Sequence, residues 1–175
     1  MSVPPVVYDG VYGPYTVTGE HRREVLAYRL SLLVVALAQL ALLLQWRQLG
    51  PGWCWPWLLL MAAGLGGALR WVHIYLVPLH RTLQLFWLLG CAGFALLAYL
   101  FGTASMLPQL VDQPAWILLV GPFFAALAGL GFKEFFCFQR LEDIGLTLLL
   151  PVLLLGWWLG LWSAAVASGL LALEA

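Results

Sequence analysis

The 175-residue chain is 63% hydrophobic and only 9% charged, with ten tryptophans and a formal net charge of zero. An ordinary soluble domain carries roughly 25% charged residues, and a soluble core of this length has no use for so much apolar surface. Charge balance also excludes the basic face of a nucleic-acid binder, so the composition implies an integral membrane protein whose apolar excess faces lipid.

Residues 1–19 read as a polar cytoplasmic head, ahead of a transmembrane helical domain over 20–175. The head, PVVYDGVYGPYTVT, alternates apolar and small residues around Asp9-Gly10. That dipeptide suits the φ > 0 positions of a tight turn; a small hairpin and an irregular tail both fit. Thr18 is placed to cap a helix that opens on Glu20-His21-Arg22-Arg23-Glu24. The first apolar run begins at Val25, behind these polar residues, so no cleavable signal peptide is visible.

A bilayer core of ~30 Å needs about 20 apolar helical residues. Five stretches qualify, at 25–46, 55–77, 83–106, 116–138 and 144–162. The fold expected is therefore an all-α bundle of five transmembrane helices. Gly50-Pro51-Gly52 separates the first two spans, and Gln113-Pro114 leads into the fourth. Pro122 and Pro151 fall inside the last two, where proline suggests kinks. The apolar tail, 163–175, is too short to cross; it extends the fifth helix or lies along the surface.

Cationic residues orient the spans. Arg22, Arg23 and Arg29 open the first, Arg70 and Arg81 flank the turn between the second and third, and Lys133 and Arg140 flank the last turn. All fall on one side, and Arg47 alone falls on the other. The positive-inside rule then makes the amino terminus cytoplasmic and places the carboxyl terminus across the membrane. The same side collects His21, His73, His80, Glu134, Glu142 and Asp143. Arg29 and Arg70 lie on the order of 10 Å inside by helical rise, where a charge is costly unless paired or snorkelling. Glu134 is the natural counter-ion, with Arg70 its first candidate partner and Arg29 its second.

His73 and His80 sit in the phrase WVHIYLVPLHR. A straight helix would hold them about 10.5 Å apart, too far for one iron. Pro78 instead makes the phrase a corner, with His73 closing one helix and His80 opening the next. The reading preferred is polar anchors at the boundary, with no resident cofactor. The alternatives are a single-histidine axial contact to a chlorophyll or haem, or a metal site, for which only His21, Cys137 and Glu134 are further ligands. Cys54, Cys91 and Cys137 fall at different depths and imply no disulfide. Gly64-Leu-Gly66-Gly67, Gly90-x-x-Gly93 and Ala125-x-x-x-Gly129 suit close helix packing, internal or between subunits. Trp53, Trp55 and Trp57 read as an aromatic belt.

Three blocks, TGEHRREVLAYRLSLLV (18–34), HIYLVPLHRTLQLFW (73–87) and GFKEFFCFQRLE (131–142), resemble an integral-membrane family of photosynthetic lineages, mainly cyanobacterial, known as domain of unknown function 2301. The resemblance spans roughly residues 8–160. It implies a thylakoid or cytoplasmic membrane and supplies no activity or catalytic residue. The function expected is a non-catalytic accessory or assembly partner of a photosynthetic membrane complex such as a photosystem, in contact with membrane lipids. A tetrapyrrole- or anionic-lipid-binding protein and a small oligomeric transporter are the alternatives. No activated nucleophile or acid–base pair suggests an enzyme.

Overall fold

A computed structural model describes residues 7–10, 13–16, 19–72, 77–138 and 142–161. Among them the chain is a helical bundle preceded by one two-stranded hairpin. Strands β1 (Val7–Gly10) and β2 (Gly13–Thr16) are antiparallel, with Val7 opposite Thr16 and Gly10 opposite Gly13. The hairpin therefore exists, but Asp9-Gly10 is not its turn. Asp9 pairs with Pro14 and Gly10 with Gly13, so both belong to the ladder. Thr18, expected as the cap, lies outside the described residues.

Helix α1 (Gly19–Leu49) has 31 residues. At 1.5 Å per residue it is ~46 Å long, so its polar first turns stand beyond a ~30 Å core. Gly50, at φ 81°, ends it, and a 3-10 turn over Pro51–Trp53 leads into α2 (Trp55–Trp71). Helix α3 (Val77–Phe101) carries Pro78 in its first turn, where a missing N–H sacrifices no hydrogen bond. Gly102, at φ 79°, stops α3. Short α4 (Met106–Asp112) and a 3-10 turn over Pro114–Trp116 precede α5 (Ile117–Phe138). Helix α6 (Glu142–Trp158) finishes before Gly160. Both α5 and α6 run through their internal prolines.

Three helices are long and apolar enough to cross a membrane: His21–Leu49, Val77–Phe101 and Pro114–Phe135. Helices α2 and α6 have 17 residues each, ~25 Å, at the lower limit for a span. The third stretch differs most from its expected 83–106. Pro78 starts the helix more than a turn earlier, and Gly102 ends it a turn sooner. Residues 102–105, expected to finish it, form a turn instead, and Met106 opens α4.

The helices pack in two groups. Helix α1 lies along α2, while α5 packs between α3 and α6; the contact of α2 with α3 is smaller. Small residues set the closest approaches. A Cβ on Gly64 would stand 2.9 Å from the Val35 side chain and 3.0 Å from the Ser31 carbonyl. On Gly90 it would run into the backbone of Phe123, and on Gly93 into the carbonyl of Leu119. Gly66 makes room for the Trp87 ring, whose Nε1 donates to the Ala62 carbonyl at 2.9 Å and pins α3 to α2. Gly129 faces Leu83. Of the two readings of these glycines, internal packing is the one realised.

The α3–α5 seam should be the least tolerant of added volume, because the obstacle is backbone. Gly93→Leu is expected to cost about 1–3 kcal/mol, read as a lower Tm in detergent. At Gly121, in α5, an added Cβ would meet nothing within 4 Å, and Gly121→Ala should be neutral or stabilising by up to ~1 kcal/mol. Equal tolerance at both positions would remove the close seam.

Candidate functional site

The bundle has two chemically different ends. Contacts between Tyr28 and Glu134, and between His80 and Leu69, gather the first part of α1, the end of α2, the start of α3 and the end of α5 at one of them. Most of the charged residues singled out from sequence lie there.

Glu134 is the centre of this end. Its Oε1 accepts from the Tyr28 hydroxyl at 2.5 Å and from Lys133 Nζ at 2.7 Å. Both lengths are those of charge-assisted bonds. The Lys133 ammonium also stands 5.2 Å from the centroid of the Tyr28 ring, within range of a cation–π attraction. The Lys133 and Glu134 side chains are 10% and 15% exposed, and Tyr28 is buried. Three residues thus satisfy one another, and the Tyr28–Glu134 bond joins α1 to α5, one helix from each group.

The expected partners of Glu134 stand elsewhere. The Arg70 guanidinium is exposed and lies over its neighbour Trp71, 5.5 Å from the ring centroid. Arg29 is exposed as well. The reason is helical phase: Tyr28 continues the inward face of Val35, Ala38 and Leu42, and the next residue points about 100° away. Lys133 reaches Glu134 because its four-carbon stem is flexible. Arg81 is also exposed, and the backbone places Glu142 and Asp143 in the first turn of α6. His73 and Arg140 lie outside the described residues.

His80 closes the α2–α3 corner. Its Nε2 is 2.6 Å from the Leu69 carbonyl, one of the last four of α2, which have no partner within the helix. A carbonyl only accepts, so Nε2 carries the proton and caps α2. The Gln84 side-chain amide lies 3.2 Å from the same nitrogen, an approach that suits its oxygen rather than its nitrogen. This bond commits Nε2; an axial bond to a pigment or haem would have to use Nδ1. Among the described residues no group of three or more His, Cys, Asp or Glu is arranged to hold a metal.

The opposite end is tied by aromatic and amide groups. Trp57 Nε1 donates to Gln45 Oε1 at 2.6 Å, and Gln45 Nε2 donates to the Trp53 carbonyl at 3.0 Å. Cys54 is fully buried with its thiol toward the carbonyls of Leu42 and Gly50, and burial pushes that thiol up from its ordinary pKa. Cys54 and Cys91 are free thiols. Inside this half a partly open cavity of about 180 Å³ separates the two helical groups, with Gln39, Phe94 and Phe124 among its lining residues. Tyr28 and Gln39 were not singled out from sequence. Their signal is their position: both fall on the buried face of α1, the one polar-tipped and the other polar in an apolar run.

Removing either side of the Tyr28–Glu134 bond should loosen the two groups. Tyr28→Phe and Glu134→Gln are each expected to lower stability by about 1–3 kcal/mol, the range for a bond to a charged group. The double variant should lose less than the sum, because the two act through one bond. Arg70→Leu, combined with Glu134→Gln, should show no such coupling. Additive losses for Tyr28 and Glu134 in detergent unfolding would dissolve the clasp.

A family model described as an uncharacterized integral membrane protein (DUF2301) matches residues 67–175. No curated protein and no solved structure matches the chain. The match takes in the second and third of the resembling blocks and the tail, while the first block and all of α1 precede it. It covers more than half of the sequence, so the chain belongs to the DUF2301 family of uncharacterized integral membrane proteins.

Proposed function

We propose that this protein is a non-catalytic membrane component that docks onto a larger membrane complex through its arginine-rich end. It crosses the bilayer five times, with the amino terminus in the cytoplasm and the carboxyl terminus on the opposite side. The observation that carries the reading is how charge is divided at that end. Glu134, Lys133 and His80 are turned into bonds that hold helices together, whereas Arg22, Arg23, Arg29, Arg70 and Arg81 are exposed. A catalytic carboxylate or imidazole has to be available to a substrate. Here Oε1 of Glu134 already accepts two short bonds, and the exposed cations form a surface suited to an acidic partner. The five-span reading draws on the helix order: α1 runs antiparallel to α2, with Ser31 beside Gly64 and Gly67 and Cys54 beside Leu42. The family resemblance favours a photosynthetic complex in a thylakoid or cytoplasmic membrane as the partner.

Topology is tested by cysteine labelling at one engineered site before Glu20 and another next to Glu174, expected to react from opposite sides. Reaction from the same side removes the five-span reading. Docking is tested by purification in mild detergent, where the chain should co-migrate with a larger complex at low salt. Arg22→Gln with Arg23→Gln and Arg81→Gln should release it, as should ~1 M salt, at which screening acts within about 3 Å. Migration alone at low salt overturns docking, and a stoichiometric Soret band would replace it with tetrapyrrole binding.

A further inference from the structure

The two helical groups are joined at both ends, and they part between the mid-bundle Trp87–Ala62 bond and the end away from the charges. At the charged end the Tyr28–Glu134 bond crosses the joint, and at the other end α4 lies against the Pro51–Trp53 turn. The cavity of about 180 Å³ fills the interval. Helix α1 lines it from Gln39 to Trp46, α5 from Ile117 to Phe124, and α6 from Leu150 to Trp157. Each is a seven-residue step, so the cavity is ~10 Å deep along the bundle axis.

Its chemistry is nearly uniform. Gln39 is the only residue without an apolar or aromatic side chain among those lining it, and Gln39 is already engaged by the protein. Trp46 and Trp157 stand at the end away from the clasp. Water is held in a cavity by two to four polar partners, and an apolar cavity of ~150 Å³ stays dry yet accepts benzene. A void here would also forfeit dispersion contacts along its whole wall. In an integral membrane protein the surrounding apolar medium is acyl chain, and a cavity of about 180 Å³ suits a stretch of one chain rather than a headgroup.

The charges next to the lining residues supply a second observation. Arg47 follows Trp46 and Asp112 follows Val111, both directly next to lining residues, and both are exposed. Arg47 is the only charged residue between Arg29 and Arg70, and Asp112 the only one between Arg81 and Lys133. One cation and one anion thus stand one residue beyond the lining of α1 and α4, and their charges match the phosphate and the ammonium of a zwitterionic headgroup. We propose that this cavity holds one acyl chain of a zwitterionic phospholipid, inserted from the Trp46–Trp157 side with its headgroup between Arg47 and Asp112. The inference is independent of docking at the opposite end.

The test uses the full chain in bilayer nanodiscs containing phosphatidylcholine with a photoactivatable diazirine at the end of one acyl chain. Adducts are mapped by mass spectrometry. Adducts at Met61, Phe124 and Leu150 are expected, in addition to those on outward residues such as Leu88 and Leu96. Leu154→Trp and, separately, Leu43→Phe fill the cavity; they should lower the inner adducts about tenfold, keep the outer ones, and hold or raise Tm. Phosphatidylglycerol carrying the same probe should label the inner set less, and Arg47→Ala with Asp112→Ala should erase that preference. Absence of inner adducts in the unaltered protein overturns the proposal whether or not the filled variants fold. Inner adducts that persist in both filled variants overturn it too, and equal labelling by the two lipids overturns the headgroup assignment.

Discussion

A carboxylate turned into a membrane bundle has to be neutralised or hydrogen-bonded by the protein, because lipid offers it neither. In this chain the requirement falls on Glu134, and the way it is met shapes the charged end. Its Oε1 takes one donor from its own helix, Lys133, and one from α1, Tyr28. The first removes the charge; the second ties the helical groups. Because Lys133 also stacks against the Tyr28 ring, the arrangement constrains the azimuth of α1 as well as its distance. Helix α1 cannot rotate to present Arg29 inward without losing the Tyr28 bond and the ring contact, which is why that arginine is left outside.

The glycines impose the complementary constraint. Within each group, backbone approaches backbone so closely that a methyl would collide, as Gly90 and Gly93 do with α5 and Gly64 with α1. Such seams gain dispersion contacts over their full length without requiring any polar group to leave water. Between the groups, among the described residues, no glycine brings α1 equally close to α5; the joint relies on Trp87, the Tyr28–Glu134 bond and α4. Strong contact within groups and point contacts between them leave a space where the two convex surfaces part. The cavity is a consequence of that division, and its apolar wall follows from the same residues that would otherwise have faced lipid.

Much of this was legible in the sequence because membrane helices advertise themselves by length and apolarity. The helical membrane class, the rough helical locations and the gathering of charge at one end came from span length and the placement of arginines, and the break between α2 and α3 came from Pro78. What was not legible depended on phase and on single residues. Asp9-Gly10 suits a turn by conformational preference, but the register pairs both residues within the ladder, with Pro14 and Gly13. Gly102 fell inside the expected third span, 83–106, and its positive φ makes it a stop. Glu134 was identified as needing a partner, yet a side chain's reach and a 100° step per residue decide who answers. Arg70, though at the right end, is held over Trp71, and Lys133 was nearest. Tyr28 was passed over because an aromatic in an apolar helix looks like core until its hydroxyl is given a partner.

The pairing of Lys133 with Glu134 has a further structural consequence. Both residues belong to α5, so the ion pair closes within one helical group and leaves no net charge for α1 to balance. The Tyr28 hydroxyl therefore contributes direction and a hydrogen bond, not neutralisation. At this clasp the α3–α5–α6 group is electrostatically complete on its own, and α1 meets it through the Tyr28 hydroxyl, while α2 is held separately by the Trp87 and His80 bonds to its carbonyls. An ion pair shared between the groups would have bound them more tightly and made separation costly, since a buried charge left alone costs about 3–5 kcal/mol. A neutral donor allows the joint to be held by a bond worth less than that. The joint thus rests on weaker contacts than the seams within each group, and it is also the part that contains the cavity.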